Sequence, residues 1–250
     1  MKASALQAAL IRRKPGRSLT LVVTLLQSIT FLSLVTASGN SAAVVNAVLA
    51  PGLIGLWVAS IDLAGEIIAE DRWNRRFELI VITRVPLSVV VFGRVIIVIG
   101  FGALAFAEAW LVAAIGFGQV VTIREPLIFV VGVAATCLAM AGTATLLTAL
   151  FVLSRAMEML QNSLSYPLYI LGGVVVPITF LPDWLRPASR LLFLSWSGDL
   201  LRNAMRGASA DWVAQLAAIL LLGATAGAIG LWLTRVVVDR TRREGTVGHA

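Results

Sequence analysis

Few residues in this chain have side chains suited to chemistry, and most stand alone. Asp62, Glu66 and Glu70 recur every four residues, the spacing that aligns side chains on one face of a helix. Three carboxylates in a stripe can hold Mg²⁺ together with a phosphate-bearing substrate. No second ligand-rich motif accompanies them, so the simpler expectation is a stripe that faces water or pairs with arginines of a neighbouring helix. Glu108 lies in Phe-Ala-Glu-Ala-Trp, deep in an apolar run, and a carboxylate at bilayer depth marks a functional site by default. A proton carrier there needs a titratable partner at similar depth, and the apolar runs offer only Gln27 and small hydroxyls. A hydrogen bond across a helix interface is therefore expected for Glu108, with Gln27 and Glu108 as the polar residues of a possible substrate path.

Other chemistries are excluded by what is missing. One cysteine, Cys137, and one histidine, His249, permit neither an intrachain disulfide nor a Cys/His metal site, and no metal site is expected. Cys137 sits in an apolar run, where a buried thiol behaves as a small hydrophobe. There is no GxxxxGK[ST] phosphate loop, since Gly16-Arg17-Ser18 lacks the first glycine and the lysine. There is no GxSxG elbow either; Ser195-Trp196-Ser197-Gly198 does not form one. The chain has no means of hydrolysing ATP alone, and no catalytic residue is assigned.

The elements that must position these residues follow from composition. Of 250 residues, 59% are hydrophobic and 13% charged, and the mean hydropathy is +0.92, whereas soluble domains carry about 25% charged residues. The expected fold is an all-α integral membrane protein, a single domain over 1–250 with six transmembrane helices. The spans are read at 19–37, 44–68, 87–115, 127–153, 164–181 and 212–238. The first exceeds the core of a signal peptide, about 7–15 residues, and is expected to be retained. Residues 1–17, with Lys2, Arg12, Arg13, Lys14 and Arg17, are read as an N-terminal interfacial helix.

The net charge of +7 comes from basic residues gathered at the ends of apolar runs, as headgroup contact requires, and no nucleic-acid partner is expected. With the N-terminus inside, 15 of the 20 basic residues fall on the cytoplasmic side, which places both termini in the cytoplasm. Between spans two and three, Trp73, Phe77 and Ile80 or Val81 share one face of a short amphipathic helix too polar to cross a bilayer, so it lies at the surface. The fifth run is short and carries Pro167, Gly172, Gly173 and Pro177. It leads into a segment, 182–211, too charged to span and too apolar for an open loop. A re-entrant outer cap between spans five and six fits that composition.

In this arrangement the chain resembles the ABC-2 type permeases, the membrane subunits of ATP-binding-cassette exporters. The resemblance covers nearly the whole chain and rests on two stretches. Glu70 to Gly93 resembles the family's E-R-x-x-G-T-L-E-x-L-x-x-x-P, with Glu78 on the late Glu and Pro86 near the proline. Gly172 to Arg186 resembles G-x-x-x-P-x-x-x-L-P-x-W-L through Pro177, Leu181, Pro182, Trp184 and Leu185. Arg75-Arg76 replace the G-T pair, and Leu-Ser-Trp-Ser at 194–197 replaces the usual Pro-x-x-Tyr.

The resemblance implies a non-catalytic permease of a bacterial plasma membrane, paired with a second permease of the same or homologous sequence. Its surface helix, Asp71–Arg84, becomes a coupling helix seated in a separate nucleotide-binding ATPase subunit. Contact falls to Asp71, Arg72, Trp73, Arg75, Arg76, Phe77 and Glu78. Pro177, Leu181, Pro182, Trp184 and Leu185 become the outer cap or gate. No cofactor is bound by this chain; ATP and Mg²⁺ belong to the partner subunit. The cargo implied is a hydrophobic or amphipathic compound such as a drug, antibiotic, peptide or lipid-linked molecule. The rival readings are a proton-driven secondary transporter using Glu108 and a membrane enzyme acting on lipid phosphates through Asp62, Glu66 and Glu70.

Overall fold

The computed structural model describes residues 16–39, 43–73, 104–153, 157–175, 177–208 and 210–244. Every regular element among them is helical: α1 (Gly16–Ser38), α2 (Val44–Trp73), α3 (Leu104–Leu111), α4 (Pro126–Leu153), α5 (Met157–Leu171), α6 (Arg186–Arg190), α7 (Phe193–Arg206) and α8 (Trp212–Glu244). A π-helical turn, Val112–Gly116, continues α3, and a 3₁₀ turn, Ile178–Phe180, follows α5. Among the described residues three stretches are long and apolar enough to cross a bilayer, Val44–Ile61, Pro126–Phe151 and Trp212–Val236, and Val22–Ser38 and Leu104–Gly116 are shorter apolar helices. An all-helical backbone is what hydrocarbon demands, because a helix satisfies its own N–H and C=O groups.

The hydroxyls scattered through these apolar helices turn inward on the backbone. Ser28, Ser60, Thr136, Thr145 and Thr148 each donate to the carbonyl four residues earlier, at 2.7–2.9 Å. A buried hydroxyl satisfied in this way carries no unmet hydrogen bond.

α2 is the central helix, packed against α1, α3, α4, α5 and α7. Leu49, Leu53, Leu56 and Trp57 on it are almost wholly buried. The Trp57 indole N–H donates to Ser165 Oγ at 3.3 Å, which ties α2 to α5. Small residues set how closely α3 approaches: Gly52 lies under the Phe106 ring and Gly55 against Ala105 and Thr24.

α4 and α8 make the most extensive helix contact. Gly223 abuts Ala139 and Gly142, Gly227 abuts Gly142, and Gly230 abuts Leu146. The order of these pairs makes the two helices parallel. A Cβ added to Gly142 would fall onto the Gly223 carbonyl, and one on Gly223 onto the Ala139 backbone. Backbone-to-backbone approach of this kind is how helices associate in lipid, where burial of apolar surface gives little drive.

The sequence expectation for the fifth span, 164–181, differs from the observed helix. α5 starts earlier, at Met157, and ends at Leu171. Pro167 lies inside it rather than breaking it; the break falls at Gly172 and Gly173.

Replacing Gly142 with Ala should force α4 and α8 apart and cost about 1–3 kcal/mol, as overpacking does. Thermal unfolding of the purified chain in detergent should register this as a lower melting temperature, whereas Gly118→Ala, in open space, should act through its positive φ alone.

Candidate functional site

Two polar constructions stand out in this apolar frame: the cap that follows α5, and a seam between α1 and α3. The cap begins with a helix terminus. Val174 N–H donates to Tyr169 O and Gly173 N–H to Ile170 O, both at 3.1 Å, the paired bonds of a Schellman ending with glycine at the left-handed position. Gly173 has φ of 62°, which a side chain would disfavour.

Two carbonyls left over at this terminus are satisfied from the cap. Ser189 Oγ, on α6, donates to Leu171 O. The Arg202 guanidinium, on α7, donates to Gly173 O at 2.9 Å. Arg202 is 4% exposed, and its second nitrogen meets Asp199 Oδ1 at 2.8 Å. The other oxygen of Asp199 meets Arg190 at 2.8 Å. Arg190 lies over the Trp196 ring, 4.5 Å from its centroid, a cation–π arrangement, and its carbonyl accepts from the Trp196 indole at 2.9 Å. One chain of contacts thus runs from the α5 terminus through Arg202 and Asp199 to Arg190 and Trp196.

α7 is held against α2, α4 and α8. Leu200 and Leu201 pack over Gly132 in the first turns of α4, and Glu125 N–H donates to Ala204 O at 3.1 Å. The cap therefore sits at the end where α4 begins. Of the cap residues singled out by sequence, Pro177 leads into the 3₁₀ turn and Leu181 and Leu185 are half-buried. Pro182 and Trp184 are exposed, Trp184 by 76%. Arg186 binds this outer turn to itself, donating to Leu181 O and Thr179 O and pairing with Asp183 at 2.7 Å. The residues that fasten the cap to the bundle, Ser189, Asp199 and Arg202, were not singled out. The signal available for two of them was an Asp and an Arg three residues apart in an amphipathic stretch.

At the seam, Thr24 Oγ1 on α1 donates to Glu108 Oε2 on α3 at 3.0 Å. Thr24 is 3% exposed and Glu108 half-buried. Gln27, three residues along the same flank of α1, has Oε1 buried with no hydrogen-bond partner among the described residues. The structure thus brings a Glu108 hydrogen bond and Gln27 to one helix pair, and it adds Thr24. A lone threonine in an apolar run carries no signal of that role. Asp62, Glu66, Glu70, Asp71, Arg72 and Trp73 belong to the last turns of α2. Their side chains, and Arg75, Arg76, Phe77 and Glu78, lie outside the described residues, so the acidic stripe and the surface helix have no geometry here.

These features are those of an all-helical, multi-pass membrane protein with a hydrogen-bonded cap and a polar seam between two of its apolar helices. The sequence matches the family model of the ABC-2 type transporters over residues 4–206. No curated protein and no solved structure matches it significantly. The chain belongs to the ABC-2 type transporter family and is a membrane permease component of an ABC transporter. Such components are generally non-catalytic and normally work with an ATP-binding subunit.

Arg202→Met would leave the Gly173 carbonyl unmet and strip Asp199 of its buried partner. The expected loss is roughly 3–5 kcal/mol, the usual cost of breaking a buried pair. Unfolding midpoints in detergent should fall accordingly, and adding Asp199→Asn to Arg202→Met should restore part of the loss. An unchanged midpoint in the single variant would show the contact to be dispensable.

Proposed function

We propose that this chain is the permease half of an ATP-driven exporter that carries a hydrophobic or amphipathic compound out across a bacterial plasma membrane. The family match over residues 4–206 carries this reading. In it, the chain spans the bilayer six times, through α1, α2, the run ending in α3, α4, α5 and α8. The charge distribution along the sequence supports cytoplasmic termini. A second permease, identical or homologous, completes the pathway, and two ATP-binding subunits supply the energy.

The division of the molecule supports this assignment. The cap end is fastened by hydrogen bonds, as suits an external closure. The opposite end of α2 runs into the segment 71–84, whose Trp73 and Phe77 have the aromatic character of interface anchors. Closure of the ATPases on bound nucleotide would press on that segment and be transmitted along α2, the helix with the most neighbours. Glu108 engages a neutral hydroxyl and has no cationic partner among the described residues, which gives the proton-driven alternative no support beyond the carboxylate itself.

Trp73→Ala combined with Phe77→Ala should abolish co-purification of the ATP-binding subunit or uncouple its ATP hydrolysis from transport. Intact assembly with coupled turnover would make the segment an inert connector. In a Cys137→Ser background, a cysteine at position 184 should react with an impermeant thiol reagent added outside, and its rate should change when ATP is trapped on the partner. Labelling from the cytoplasmic side alone would reverse the orientation.

A further inference from the structure

The seam between α1 and α3 has a feature that a purely structural hydrogen bond does not require. An ionised carboxylate offers about four lone-pair sites and no donor. Glu108 receives one donor, the Thr24 hydroxyl at 3.0 Å, and among the described residues it has no ion-pair partner. Gln27 Oε1, on the same flank of α1, is a second acceptor without a donor among the described residues. Among the described residues the seam offers these two acceptors one donor, the Thr24 hydroxyl, and no positive charge. In a low-dielectric surrounding both deficits are costly.

The helix surfaces flanking Glu108 and Gln27 are apolar and exposed. Leu104 and Leu111 stand four residues before and three after Glu108 on the same surface of α3, and they are 50% and 55% exposed. Val23, one turn before Gln27 on α1, is 41% exposed. A ligand lying there would have its body against aliphatic side chains and one end against the carboxylate. An alcohol brings a single donor and no charge, whereas an ammonium brings three donors and the missing charge.

We infer that Glu108, with Thr24 orienting it and Gln27 beside it, is a recognition site for the protonated amine of an amphipathic cargo whose apolar body lies between Val23 and Leu104/Leu111. The assignment rests on the permease reading above and narrows its cargo to lipophilic cations. Thr24 is a positioning residue: its hydroxyl fixes one carboxylate oxygen and leaves the other for the ammonium.

The test is equilibrium binding of radiolabelled dodecylamine to the full chain in lipid nanodiscs at neutral pH, with dodecanol as the uncharged isostere and empty discs subtracted. The native chain should bind the amine about tenfold or more tightly than the alcohol, the factor that a charge-assisted hydrogen bond supplies. Glu108→Gln, which can still accept from Thr24, should erase that preference while leaving alcohol binding and the melting temperature unchanged. Glu108→Asp should retain it. A native chain without preference, a Glu108→Gln variant that keeps it, or one that loses amine, alcohol and stability together would each overturn the assignment. Transport in proteoliposomes with the ATP-binding subunit separates the two readings. Amine bound through Glu108 but not moved by ATP would sink the exporter and leave the site standing. A neutral amphiphile moved as well as the amine would sink the site and leave the exporter.

Discussion

The cap depends on one constraint: a buried peptide group that leaves a helix must find a partner outside it. α5 stops at Leu171, and carbonyls at its end point away from any further helical turn. The Schellman bonds take two of the nearby groups, Ser189 takes Leu171 O, and Arg202 takes Gly173 O. Because Arg202 is itself buried, it needs Asp199; because Asp199 has a second oxygen, it draws in Arg190, which in turn stacks on Trp196. The shape of the cap follows from satisfying one helix end. A hydrophobic segment of the same length would cover the bundle but leave those carbonyls unmet.

The remainder of the bundle is governed by distance of approach. Gly52 and Gly55 let α3 close on α2, bringing Glu108 to Thr24, which itself rests against Gly55. The polar seam is thus a product of small residues on a different helix from either of its partners. Ser28, Ser60, Thr136, Thr145 and Thr148 are occupied by their own backbones, whereas Thr24 directs its hydroxyl across to Glu108.

Much of this was legible in the residues. Alternation of long apolar runs with short charged links marks α1, α2, α4 and α8, and Pro126 marks the start of α4. Gly172-Gly173 announces the end of α5 because two adjacent glycines followed by Pro177 cannot continue a helix cheaply. Pro167 misleads for the opposite reason: it removes one N–H from the ladder, and α5 runs on through it. The early start of α5 was hidden by Gln161, Asn162 and Ser163, polar residues that hydropathy reads as a loop. Arg202 reads in the sequence as one more arginine of the cap segment; Asp199, three residues before it, hints at a partner, but its burial shows only in the fold. The spacing of Gly223 and Gly227 does follow a helix-association pattern, yet its meaning lies in Ala139 and Gly142, some 80 residues away in sequence, and only the fold joins them.

The glycine contact between α4 and α8 also has a mechanical meaning. Two helices whose backbones touch through notches are keyed together: an axial slip by one residue's rise, roughly 1.5 Å, would drive a side chain into space that only a hydrogen atom fits. α4 and α8 therefore resist shear and behave as one beam. The joint where α1 meets α3 is of another kind: there a hydroxyl–carboxylate bond between two side chains, Thr24 and Glu108, links the helices.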